Sequence, residues 1–381
     1  MKQRRGVAIA FEVRIYPDAK DYRSEISTNM KSQIFLVVLI ALLATGLTAQ
    51  TSFSADNNAM AELLDSANAA YPGTSKGLST SVSKITFKNN NLNMAGNLYS
   101  PAGMDKNKKY PAIVVVHPGG GVKEQTAGLY AEKLAELGYI TLAFDASYQG
   151  ESEGEPRFLD NPMNRVGDIY SAVDYLVTLP YVDANRIGGM GICAGSGATV
   201  KAAMTERRIK ALATVSAVDV GAASRKGWDG KGSLDQIPTL EAVAKQRTAE
   251  AGGAAPMYVP YVPEVGDTTA PLDLQEAADY YRTPRGQHPN SPNKLLFSGV
   301  SYGILFDGFG QADKLLTQPL LLIAGSEAGS LWHSQELYTK AASKQKELFI
   351  IKGATHMDLY DGKQYVPQVV GKMKEFFGKN L

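Results

Sequence analysis

Hydrophobic positions follow two rhythms along this chain. Val82–Phe87 and Leu92–Tyr99 alternate apolar and polar side chains on either side of an Asn run, which predicts a hairpin. Ala112–Val116 and Ile140–Phe144 are short apolar runs of the kind found in strands buried on both faces. Between them Tyr130, Leu134 and Leu137 recur at helical spacing and Gly138 follows as a stop. Val166, Ile169, Val173 and Leu176 step by three and four, which predicts an amphipathic helix ending before Pro180. Ile187–Ile192 reads as a strand that runs into a small-residue helix reaching about Met204, and Ala211–Val218 as the next strand. Leu320–Ile323, Glu347–Ile351 and a helix from about Gln364 to Phe377 complete the pattern. Strands alternating with helices of this length predict an α/β fold: a mostly parallel central sheet with helices on both faces.

Residues 221–316 break that rhythm, because they are far longer than an ordinary connection between two strands. They carry Trp228, the run from Pro256 to Tyr261, and Tyr280-Tyr281, and are expected to form a cap over a pocket; the alternative is an oligomerisation element.

The N-terminal region reads differently. Ile34–Leu47 is a weakly polar to apolar run of 14 residues behind Met30 and Lys31. It is shorter than the roughly 20 residues needed to span a bilayer and resembles the core of a secretion signal with cleavage after Ala49. Residues 1–29 mix both charge signs and read as an upstream extension before a start at Met30. The expected organisation is a signal peptide at 30–49, an arm at 50–77 with a short helix near Met60–Ala69, and a folded domain at 78–381. The protein is then exported, periplasmic or secreted, without stable membrane insertion once cleaved; an uncleaved anchor is the alternative.

Charge adds an exclusion. Lys and Arg total 39 against 38 Asp and Glu, so there is no basic field for nucleic acid. A single cysteine rules out an intramolecular disulfide and any multi-cysteine metal site. The four histidines lack metal-binding spacing, and no metal is expected.

That lone cysteine stands in Gly191-Ile192-Cys193-Ala194-Gly195, between a predicted strand and a predicted helix. This is the context of a nucleophile elbow, whose sharp turn needs small residues two positions to either side. The helix N-terminus favours a thiolate there. Ser196 is a rival nucleophile that needs the elbow displaced by three residues. Chain order in such sites is nucleophile, acid, histidine. His356, after the last apolar strand, is therefore the candidate base, and Glu327 in Ala324–Ala328 the candidate acid, with Asp219 as runner-up. The Ala194 amide and Gly119 or Gly120 of His117-Pro118-Gly119-Gly120-Gly121 are candidates for an oxyanion hole. His117 reads as structural, Asp145 as ordering loops, and Tyr148 as lining the pocket.

These segments, with Gly150-Glu151-Ser152, Gly154–Arg157 and Gly353–Asp361, resemble the dienelactone-hydrolase-like branch of the α/β-hydrolase superfamily, from about Tyr110 to Asp361 and in the same order. Cys193 and His356 match the family's positions directly. Glu327 departs from the family's Asp, and the 221–316 insertion departs from its small capless members. The resemblance implies a Cys-His-acid triad, no cofactor, and a small-molecule ester, lactone or similar acyl substrate. An acyltransferase and a non-catalytic binding protein on the same fold are the rival readings.

Overall fold

The computed structural model describes residues 80–381, so the signal, arm and extension expected at 1–77 lie outside the described residues. Two antiparallel strands open the fold, β1 (Ser81–Asn89) and β2 (Leu92–Ser100), and the predicted hairpin forms with Asn89 opposite Leu92. Then come β3 (Tyr110–Val116), α1 (Thr126–Glu136), β4 (Ile140–Phe144), α2 (Pro162–Thr178), β5 (Val182–Ile192), α3 (Ala194–Thr205) and β6 (Ile209–Val215). The chain returns to the sheet much later with β9 (Leu320–Gly325), α9 (Leu331–Lys340), β10 (Lys346–Ile351), α10 (Asp358–Asp361) and α11 (Val366–Asn380).

The strands form one eight-stranded sheet in the order β1-β2-β4-β3-β5-β6-β9-β10, parallel from β4 onward. Alternation along β3 explains the layering. Val114 and Val116 face the cluster beneath α2 and α3, whereas Ile113 and Val115 face the one beneath α1 and α11. α2 buries the predicted Val166, Ile169, Val173 and Leu176 stripe; Pro162 opens it, and the Asn161 side chain caps it by accepting from the Met163 amide.

The register brings Val116, Gly191, Val215 and Ile323 to the same C-terminal edge of the sheet. Ligands of open α/β sheets bind outside that edge. Over it lies the long insertion, made of α4 (Val220–Lys226), α5 (Ile237–Ala251), a two-residue pairing of β7 (Tyr258–Val259) with β8 (Leu295–Leu296), α6 (Leu272–Arg282), α7 (Val300–Leu305) and α8 (Ala312–Leu315). β6 stops at Val215, three residues before its expected end, because Ser216 turns with φ 47° and Asp219 then caps α4 through the Gly221 and Ala222 amides. Among the described residues no helix is long and apolar enough to cross a membrane.

Candidate active site

Cys193 sits where β5 hands over to α3, with φ 52° and ψ −124°. A non-glycine residue rarely adopts that conformation, and it is held by bonds on both sides. The Cys193 amide donates to Val215 O (3.0 Å), and its carbonyl accepts from the amides of Ser196 (2.9 Å) and Val218 (3.1 Å). The flanking glycines follow from crowding. A Cβ on Gly191 would meet the Ser196 backbone, and one on Gly195 would collide with the Val116 carbonyl. Ser196, the rival nucleophile, is fully buried, and its hydroxyl donates to Gly191 O (2.8 Å).

His356 comes from the loop after β10. Its carbonyl accepts from Ser216 Oγ (3.0 Å), which ties that loop to the end of β6. The imidazole lies within hydrogen-bonding reach of Cys193, and its Nε2 is 3.4 Å from the Tyr360 hydroxyl. Burial alone would push the Cys193 thiol up. The facing His356, with hydrogen bonds from His356, Tyr360 and the Ala194 amide, outweighs it and holds the thiol below its ordinary value. Burial likewise pulls His356 down, but the sulfur beside it, helped by Asp273 and Glu276, raises it above the usual imidazole value. Each group favours the charged form of the other, as in a thiolate–imidazolium pair.

The third position departs from expectation. Nδ1 of His356 meets Ser330 Oγ at 2.6 Å. Glu327 is exposed; its carboxylate accepts from Ser326 Oγ (2.8 Å) and its amide donates to Ala354 O (2.9 Å). The loop after β9 does reach the histidine, but the residue that arrives is Ser330, three positions further on. Asp219, the runner-up, is committed elsewhere: Oδ1 caps α4 and Oδ2 accepts from the Gly308 amide (2.9 Å).

The insertion supplies further groups. The Trp228 ring stands 5.3 Å from His356, centroid to centroid, and its Nε1 donates to Asp273 Oδ2 (2.7 Å). The same oxygen accepts from the Gly329 amide (2.8 Å), next to Ser330. One buried carboxylate of α6 thus joins the tryptophan over the imidazole to the loop that carries the partner of Nδ1. Sequence reasoning did not single out Ser330, Tyr360 or Asp273. Tyr360 had a usable signal, since it follows His356 by four residues.

A cavity of about 190 Å³ lies above the sulfur, with mostly apolar walls drawn from both the core and the insertion. Gly119, Ala194, Cys193 and His356 all line it. Gly120, with φ +67°, packs beneath the Tyr261 ring instead. Tyr148 is not among the lining residues. Its own φ of 69° turns its ring against Gly154. Asp160 also lines the cavity, where it pairs with buried Arg165 (2.7 Å) and accepts from the Tyr261 hydroxyl (2.5 Å). Burial would raise the Asp160 carboxyl, yet Arg165 holds it below the usual carboxylate range.

His117 is structural. Its Nδ1 donates to Pro118 O (2.6 Å) and its Nε2 accepts from the Ala146 amide (3.0 Å), while burial, with Arg165 nearby, pushes its pKa down to about 3. Asp145 is a buried loop anchor bonded to the Lys123 side chain (2.8 Å) and to the amides of Lys123 and Glu151. Among the described residues no group of three or more His, Cys, Asp or Glu could hold a metal ion.

A glycine-flanked elbow facing a histidine at the C-terminal edge of a mostly parallel sheet, with helices on both faces, defines an α/β-hydrolase. Within that class the chain belongs to the dienelactone hydrolase family, whose model matches residues 94–218. Over 302 residues it is 46% identical to the uncharacterized protein YcjY of Escherichia coli, covering 78% of this chain and 99% of that protein. The crystal structure of protein PA2218 from Pseudomonas aeruginosa matches with a TM-score of 0.74 at 35% identity, over 82% of this chain and 96% of that one. The thiohydrolase aneE of Aspergillus aculeatus is 27% identical over 183 residues, 48% of this chain and 57% of that protein.

Proposed function

We propose that this protein hydrolyses a small ester, lactone or thioester through an acyl-cysteine intermediate, with Cys193 as nucleophile and His356 as proton carrier. The observation that carries this reading is the elbow conformation of Cys193 facing His356, with its thiol held below and the imidazole above their ordinary values. The thiolate attacks the carbonyl carbon, a C–S bond forms, and negative charge moves to the carbonyl oxygen. The amides of Ala194 and Gly119, both on the cavity wall, are the candidate donors for that oxyanion. When the intermediate collapses, the bond to the leaving group breaks and His356 gives the departing atom a proton. Water then loses a proton to His356 and adds to the acyl carbon. The C–S bond breaks, releasing the acid and restoring the pair.

Ser330 takes the place of an acid here, orienting the ring through Nδ1. The cavity is smaller than the roughly 300–1,000 Å³ of sites for drug-sized ligands, which favours a short acyl group. Similarity to a protein named a thiohydrolase supports including thioesters.

The test is the pH dependence of short-chain aryl-ester hydrolysis. If Cys193 must be a thiolate and His356 an imidazolium, kcat/KM follows a bell. Its acid limb lies below the ordinary thiol pKa, because that of Cys193 is lowered. Its basic limb lies above the ordinary imidazole pKa of 6.5, because that of His356 is raised. Cys193→Ala abolishes turnover and Ser196→Ala retains it. Wild-type rates in Cys193→Ala would overturn the mechanism.

A further inference from the structure

Tyr281 is a buried phenol on α6 whose hydroxyl forms no well-aligned hydrogen bond among the described residues; the Tyr360 hydroxyl is close enough to interact with it but is not aligned as such a bond. Its ring is fixed edge-on by Tyr280, with centroids 5.0 Å apart, and by Tyr360 at 6.4 Å, so the hydroxyl has little freedom to seek one. The Tyr360 hydroxyl beside it is 3.4 Å from His356 Nε2. Polar groups in protein interiors are almost always paired, and an orphaned one is a cost that stability alone does not explain.

Its location supplies a reason. Tyr281 lines the same cavity as Cys193, Ala194 and Gly119. Its oxygen would lie only 3.4 Å from a Cβ placed on Gly121, so the hydroxyl borders the backbone of the glycine loop. Burial, reinforced by negative charge on Cys193, pushes the phenol well above its ordinary value, so it keeps its proton and can donate. A donor without a well-aligned partner, on a cavity wall shared with Gly119 and Cys193, suits an acceptor that appears only during reaction.

We propose that the Tyr281 hydroxyl donates to the oxyanion formed on attack by Cys193, adding a side-chain donor from the insertion to the backbone amides of the core. This rests on the acyl-cysteine reading above. The phenol keeps its proton throughout; it forms a hydrogen bond as charge develops on the substrate oxygen and loses it when the intermediate collapses. Donors of this kind stabilise the transition state more than the bound substrate, so their loss falls on kcat.

The experiment compares wild type, Tyr281→Phe and Cys193→Ala on one aryl ester, with kcat, KM and Tm measured for each. Tyr281→Phe removes a single oxygen and keeps the ring packing. The expected result is a drop in kcat of about 100-fold, the lower end for removal of one oxyanion donor. KM should stay within about twofold, and Tm should be unchanged or raised because the orphaned hydroxyl is gone. An aldehyde that adds reversibly to Cys193 should lose affinity in Tyr281→Phe as well, since its oxygen occupies the oxyanion position. An unchanged kcat, or a change confined to KM, overturns the proposal while an inactive Cys193→Ala leaves the nucleophile reading standing. Wild-type turnover by Cys193→Ala overturns both.

Discussion

The partner of His356 Nδ1 is a serine hydroxyl, and that single contact shapes the expected chemistry of the site. A neutral partner orients the ring and accepts from the imidazolium without adding a charge of its own. A hydrogen bond to a charged group contributes about 1.5–3 kcal/mol. Ser330→Ala is therefore expected to lower kcat/KM by roughly 10- to 150-fold. Glu327→Gln, at an exposed position, should change it by no more than about twofold. Steady-state kinetics of the two variants decide the assignment, and the reverse ranking would return the role to Glu327. Cys193 and His356 were legible because strong local patterns surround them, a Gly-x-Cys-x-Gly turn after a buried strand and a loop after the last strand. Glu327 is the only carboxylate in Ala324–Ala328. Sequence does not reveal that its backbone pairs with Ala354 and leaves the side chain in solvent. Tyr148 misled for a similar reason, since its positive φ redirects the ring to Gly154.

At the scale of elements, periodicity located the sheet strands and the helices α1, α2, α3 and α11; the largest offset is at β5, which begins at Val182 rather than the expected Ile187. The helix α9 shows no apolar periodicity because the face it buries carries His333 and Ser334 beside Leu337. The insertion was visible only as excess length and aromatic content. Its role at the site depends on bonds that local pattern cannot carry: Trp228 to Asp273 spans 45 residues and Gly329 to Asp273 spans 56. Through them α6 is coupled to both the ring covering His356 and the loop holding Nδ1. Its charge also favours the imidazolium. In Asp273→Asn that support is lost, the pKa of His356 falls, and the basic limb of the kcat/KM profile moves to lower pH. The pH profile of this variant checks the coupling, and an unmoved basic limb would show that the carboxylate charge is not felt at the histidine.

Across the whole molecule the division of labour is spatial. The parallel sheet aligns the ends of β3, β5, β6, β9 and β10, so the glycine loop, the elbow, the Ser330 loop and the histidine loop converge at one edge. The insertion closes over that edge and contributes Trp228, Tyr261, Asp273 and Tyr281 to the cavity walls. Fold class was readable from the order of strands and helices because each strand carries its own hydrophobic signature. The shape of the cavity was not, since it is built from side chains far apart in sequence.

The central claim is that an acyl group passes through Cys193. It is tested most directly by mixing the protein with an aryl ester, quenching in acid during turnover, and measuring the intact mass and the peptide that carries any added mass. The expected result is an increment equal to the acyl group on the peptide containing Cys193, absent from Cys193→Ala. Turnover with the acyl group on Ser196 or another residue would contradict the account.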